Sequence, residues 1–173
     1  MSDGYSLNAS CSNYWYNNGV NTTLIGFENK FTLDKKFNAA IFSGVALDTK
    51  SGGSMVIDLK ASHNYDNKGI IGQNLRIRNN FGDGAVTTQF RYSPCTVSVP
   101  VAENTKVYLN PHGVAKYNYT TKKWDTGAGA FLGVTQNFKN GLSVSLEGQR
   151  YNIQNPKEND GNWGINFILS KTF

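Results

Sequence analysis

Eleven ionisable side chains fall on the polar positions of an alternating chain: Glu28, Lys30, Asp58, Lys60, Arg76, Arg78, Arg91, Lys106, Lys116, Asp125 and Glu147. Residues two apart on a β-strand point to the same face. If strands carry them, these seven cations and four anions line one surface. Two kinds of chemistry follow. Enclosed and crowded, the charges form ion pairs and hydrogen bonds that fill space; along an open passage, the cationic excess favours anions. The catalytic inventory is thinner. His112 shares the polar parity and could join Asp125 and a serine as a hydrolytic triad, yet no local motif fixes a nucleophile. His63 falls on the apolar parity near a segment end. No Cys/His cluster and no acidic loop offers a metal site, and no cofactor is expected. Cys11 and Cys95 are the two cysteines, and an isolated pair in an exported β-rich chain suggests one disulfide.

The composition narrows the setting. In 173 residues, 39% are hydrophobic, 13% aromatic and 17% charged, the opposite of a disordered chain. A net charge of +5 raises the question of nucleic acid. The basic residues, however, stand singly or as Lys35-Lys36 and Lys122-Lys123 in turns, without the clustered stripe such binding needs. Nucleic acid is therefore not an expected partner. No segment approaches the roughly 18 apolar residues of a membrane helix. The opening MSDGYSLNAS has no basic n-region and no apolar h-region, so no signal peptide is expected in this chain.

The elements that must position the charges are marked by turn residues. Asn17-Asn18-Gly19, Ser51-Gly52-Gly53, Phe81-Gly82-Asp83-Gly84, Lys139-Asn140-Gly141 and Asn159-Asp160-Gly161 all tolerate positive φ. Leu33–Lys36 and Asp66–Gly69 are weaker signals of the same kind. Between them lie segments rich in Thr, Val, Ile, Phe and Tyr. Ten are predicted, at 5–16, 22–33, 36–49, 53–66, 69–81, 85–99, 105–119, 124–138, 141–153 and 161–173. Val99–Asn104 and Gln154–Gly161 are the most loop-like connections. Short connections between an even number of strands predict an antiparallel meander.

Within each segment the alternation is regular. Met55, Ile57, Leu59, Ala61 and Tyr65 face one way, with Ser54, Asp58, Lys60, Ser62 and Asn64 opposite. Leu142, Val144 and Leu146 oppose Ser143, Ser145, Glu147 and Gln149. One polar and one apolar face fit either a soluble barrel or sandwich, apolar inside, or a transmembrane barrel, apolar outside. Three features favour the membrane. The segments exceed the 9–11 or so residues that cross a bilayer. Aromatics gather near segment ends as two girdles, Phe37, Tyr65, Phe81, Trp124, Phe138, Trp163 and Phe173 among them. The polar face is rich in Gly and Ser, which weaken a solvated strand but suit a crowded lumen. Asn29, Gln73, His63, Gln136 and Arg150 on the outward face are tolerable only near an interface.

The last segment, Trp163-Gly-Ile165-Asn-Phe167-Ile-Leu169-Ser-Lys171-Thr-Phe173, resembles the closing strand of bacterial outer-membrane β-barrels, which end in Phe preceded by apolar residues at alternate positions. Lys171 departs from that pattern. The LSKTF ending is also similar to Gly-rich insect antibacterial proteins of the attacin type. The first resemblance implies an all-β chain, 1–173 forming one transmembrane barrel domain in the outer membrane. It would act as a small pore or as a structural and interaction protein, with the lipid bilayer as partner and small anions or a protein at its rim. A secreted soluble β-fold that binds lipid or attacks membranes is the alternative, and a rim hydrolase using His112 is a third. Arg76, Arg78, Arg91, Lys60 and Lys106 would set any ion preference. The disulfide strains this architecture, because strands one and six of a ten-strand barrel lie across from each other. Bridging Cys11 to Cys95 would require an N-terminal plug or a different strand count.

Overall fold

The computed structural model describes residues 4–34, 36–65, 69–81, 84–151 and 162–173. Every regular element among them is a strand: β1 (Tyr5–Tyr16), β2 (Asn21–Thr32), β3 (Phe37–Asp48), β4 (Gly52–Tyr65), β5 (Gly69–Asn80), β6 (Val86–Ala102), β7 (Thr105–Asn118), β8 (Lys123–Asn137), β9 (Leu142–Tyr151) and β10 (Asn162–Thr172). Each pairs antiparallel with its sequence neighbours, and β1 pairs β10, from Asn8 opposite Thr172 to Tyr16 opposite Gly164. The sheet is thus a closed barrel with both termini at one end. The expected turns at 66–68, 82–83 and 159–161, the connection from 154 and Lys35 lie outside the described residues.

The turn chemistry explains most strand ends. Gly19 (φ 78°), Gly52 (φ 77°) and Gly141 (φ 81°) occupy the left-handed region that their turns require. In the 33–36 turn, Asp34 Oδ1 accepts the backbone N–H groups of Lys36 (2.6 Å) and Phe37 (2.7 Å). β6 departs from expectation. It continues through Val99–Ala102, expected as loop, and reverses at Asn104 (φ 63°) instead. It also carries a bulge, since Tyr92 faces Gly113 while the next partners are Val97 and Leu109. Five steps on β6 match four on β7, so the inward parity switches there. Pro94, unable to donate to a ladder, sits inside the bulge.

Outward residues are apolar and bare, with Phe27 58%, Leu132 59% and Ile165 54% exposed. Exposure of this kind around a closed barrel is a lipid-facing band. Tyr5, Phe31, Phe37, Tyr65, Phe138 and Phe173 ring the end that holds the termini. Trp15, Phe81, Tyr119, Trp124 and Trp163 ring the other. Outward polar groups lean on these girdles. His63 stacks between Phe37 (4.3 Å) and Tyr65 (4.5 Å), the Arg150 guanidinium lies 5.5 Å from the Trp163 ring centre, and Tyr5 donates to Asn29 at 2.6 Å. Gln136 accepts from Thr105. Each keeps its polar atoms at the level where water and headgroups begin.

The lumen is not uniformly polar. Leu24, Phe42, Ala46 and Val56 point inward from β2, β3 and β4 and form a buried cluster with Tyr14 of β1. The tip of the Phe42 ring lies over the backbone of two strands, at Gly26 and Gly44. A Cβ at Gly26 would sit 2.6 Å from it and 2.3 Å from the Ser43 carbonyl oxygen, and one at Gly44 2.7 Å from it and 2.3 Å from the Ile25 carbonyl oxygen, so both positions must lack a side chain. Tyr108 overlies Gly133 in the same manner, at 2.5 Å. The inward glycines expected of a crowded lumen thus make room for individual rings.

The disulfide does not form. Cys11 lies on the outward parity of β1 between Leu169 and Ile25, Cys95 lies at the β6 bulge, and both are free thiols. In the ring order β1-β10-β9-β8-β7-β6 the two strands are five places apart, beyond the reach of an S–S bond, whose Cα atoms stand roughly 4.4–6.8 Å apart. From Tyr5 onward the N-terminal segment is wall, not plug.

Candidate functional site in the barrel lumen

Register turns scattered charges into rows. Hydrogen-bonded neighbours place Asn8, Glu28, Phe42, Asp58, Arg76, Gln89, Lys116 and Asp125 side by side from β1 to β8. Two residues along β4, Ala40, Lys60, Asn74, Arg91 and Val114 make a parallel row. Acids and bases therefore meet across and between rows. Arg76 Nε and Nη2 donate to the two oxygens of Asp58 at 2.7 and 2.8 Å, a bidentate pair with Asp58 1% exposed. Glu28 takes both Lys60 and, at 3.4 Å, Lys30. On the opposite wall Glu147 accepts from the Tyr108 hydroxyl and, at 2.7 Å, from Asn166 Nδ2. The carboxylates are thus satisfied by donors from neighbouring strands, as buried charges must be.

Two chambers flank the packed cluster. One, of about 490 Å³, opens near the termini and is lined by Glu28, Lys30, Lys60, Asn74 and Ser93. The other, of about 120 Å³, lies toward the opposite end and is lined by Tyr14, Arg76, Arg78, Lys116, Phe131 and Gln149. Arg91 lines both. Its guanidinium sits 5.2 Å from the centre of the Phe131 ring, which also stacks on His112 at 4.6 Å. Basic side chains thus line the lumen at every level described.

The expected site residues separate into groups. Glu28, Lys30, Lys60, Asp58 and Arg76 form the ion-pair network; Arg78, Arg91 and Lys116 face the smaller chamber. Glu147 belongs to the tyrosine network, Asp125 stands opposite Lys116, and Lys106 is exposed near the end that holds the termini. His112 is 3% exposed, with Nδ1 3.3 Å from the Asn110 carbonyl oxygen. Asp125 pairs with Lys116, four residues further along β7, or about 13 Å from His112 along the strand. The triad partners are therefore not assembled. Sequence reasoning put Gln149 and Asn166 on the polar face without giving either a role, and it missed Phe131. Phe131 breaks the polar parity of β8, and that break was the available signal.

No protein-family model and no characterised protein matches the sequence. Solved structures do. The barrel is similar to the NanC porin at 12% identity, covering 95% of this chain and 98% of that one, with a TM-score of 0.51. It is similar to an outer membrane channel from Pseudomonas putida F1 at 9% identity, covering 100% and 97%, with a TM-score of 0.50. Against a loop-deletion mutant of OmpT, an outer membrane protein of Vibrio cholerae, identity is 14% and the TM-score 0.45; the match covers 92% of this chain but only 59% of that one. Closed, antiparallel and apolar outside, the chain has the fold of the bacterial outer-membrane β-barrels.

Proposed function

We propose that the protein is an outer-membrane barrel whose lumen is a narrow passage for small anions. The observation that carries this reading is the pair of chambers, both basic and both lined by Arg91. A fixed guanidinium in a narrow, weakly polarisable passage acts strongly on permeating ions. A second reading, a closed structural barrel, is favoured by the cluster of Leu24, Phe42, Ala46 and Val56 beside the passage. Small barrels are commonly filled in this way.

Planar-bilayer recording separates the two. The passage reading expects small, anion-preferring current steps whose selectivity reverses in the double variant Arg78→Glu, Arg91→Glu. Neither residue is needed for the Asp58 pair, so the barrel should still fold. Silent bilayers from protein with heat-modifiable gel migration would sink the passage and leave the structural barrel.

A further inference from the structure

We infer that the smaller chamber is a binding site for one small oxyanion of the phosphate or sulfate class, held by Arg78, Lys116 and Gln149. The inference builds on the reading that anions reach the lumen, and adds a specific seat for one. Its basis is an imbalance of donors over acceptors. Gln149 is 3% exposed, and its Nε2 is buried with no hydrogen-bond partner. Arg78 Nε donates to Ser54 Oγ at 2.5 Å, while its Nη2 is likewise buried and without a partner. Both residues line the same cavity, as does Lys116; Gln149 Nε2 lies against the β10 backbone at Gly164 and, like Arg78 Nη2, must turn toward the cavity to meet a ligand. Buried N–H groups are seldom left in this state unless water or a ligand completes them.

The carboxylates that could complete them are already engaged, and Asn166 Oδ1, also buried without a partner, belongs to a residue outside the chamber's lining. Asp48 lines the chamber, but its Oδ1 accepts the backbone N–H groups of Lys50 (2.8 Å) and Ser51 (2.9 Å), and its Oδ2 accepts the Thr22 hydroxyl at 2.7 Å. Asp58 is held on both oxygens by Arg76. Among the described residues no carboxylate lies within 4 Å of Arg78 or Lys116; the anions that act on them, Asp48 and the cross-strand Asp125, stand farther off. A ligand that only accepts hydrogen bonds and carries negative charge satisfies both deficits. A guanidinium edge and an amide N–H present the fork that a tetrahedral oxyanion takes.

Size narrows the class. About 120 Å³ holds several waters, or one tetrahedral ion with little water beside it. A sugar or a nucleotide exceeds it. Because the chamber lies inside the wall, behind the inward faces of β1 to β9, the headgroup of a bilayer lipid does not reach it.

The test is calorimetric titration of the full-length barrel in uncharged detergent with inorganic phosphate, against sodium chloride at equal ionic strength. Saturable binding of one phosphate per chain, absent for chloride, is expected. Arg78→Gln and Lys116→Gln should each weaken it about tenfold or more, and Gln149→Leu should weaken it less. Lys139→Gln, in a turn at the other end, should leave it unchanged. Should Arg78→Gln fail to fold, Lys116→Gln carries the comparison. No saturable phosphate binding to folded wild-type protein overturns the site, and so does binding that the lumen variants leave intact. Binding without bilayer currents would remove the passage and keep the site; currents without binding would do the reverse.

Discussion

Removing one half of the Asp58–Arg76 pair should cost far more than removing both. Asp58 has a side chain 2% exposed, Arg76 one 29% exposed, and two hydrogen bonds of 2.7 and 2.8 Å join them. At about 4 Å between charge centres and an effective dielectric of about 20, the attraction is about 4 kcal/mol. Most of that offsets the desolvation of Asp58, so the pair contributes little net stability. Asp58→Ala leaves Arg76 facing the lumen with no counter-charge, a loss of about 3–5 kcal/mol for buried pairs. Partial exposure of Arg76 puts the expected value near the lower end, about 3 kcal/mol. The double variant Asp58→Leu, Arg76→Met exchanges the pair for apolar side chains of similar bulk beside Val56 and Phe42 and should fall within about 1 kcal/mol of wild type. Urea titration of protein refolded into vesicles measures both, with the girdle tryptophans Trp15, Trp124 and Trp163 as reporters. A single-variant loss below about 1 kcal/mol, or a double variant as damaged as the single, refutes the reasoning.

Phe42→Ala should lower stability by about 3–5 kcal/mol, because the vacated space over Gly26 and Gly44 is backbone-lined and collapses poorly; the same urea titration reads it. Gly44→Val places carbon where the Phe42 ring lies and should abolish heat-modifiable folding, which gel migration shows directly. Both cysteines should react with a thiol reagent after unfolding without reductant, and reductant should not alter gel mobility; no reactive thiol until reductant is added would restore the disulfide. The N–H groups of Lys36 and Phe37 hold the Asp34 carboxyl below its usual range. The turn's contribution is therefore complete above the ordinary carboxylate pKa, about 3.9, and lost as pH falls through the depressed value. Proton NMR titration of Asp34 should show that downward displacement.

Strands and faces were legible because a period of two leaves a mark on every segment, from Met55 through Leu59 to Phe167. Boundaries agree closely wherever a turn glycine such as Gly19, Gly52 or Gly141 fixes the reversal. They fail at β6, where Val99–Ala102 carries Pro100 and short side chains and so reads as loop, while pairing with β7 makes it strand. Parity also reaches its limit inside the barrel. Phe42, Val56 and Phe131 are apolar residues on inward positions, and alternation assigns such residues to lipid or ignores them. The rows were less accessible still. That Asp58 meets Arg76 and Glu28 meets Lys60 depends on the stagger between strands, which hairpin length constrains only within a residue or two. The orphaned donors of Arg78 and Gln149 depend in turn on those rows.

The seam between β1 and β10 sets an order of events. The Thr172 hydroxyl donates to Asn8 Oδ1 across 164 positions of chain, whereas Thr135 and Ser145 meet across ten. Loop-closure entropy grows as the logarithm of separation, so the seam costs about 2.5 kcal/mol more to close than such a hairpin. The long-range pairing makes the barrel a slow folder whose hairpins form well before its ring. Until then β1 and β10 are two unpaired edges with every ladder group open to another chain. A chain interrupted before residue 162 would keep β1 and β9 in that state permanently. What separates a barrel from a sheet that polymerises is thus the arrival of the last eleven-residue strand.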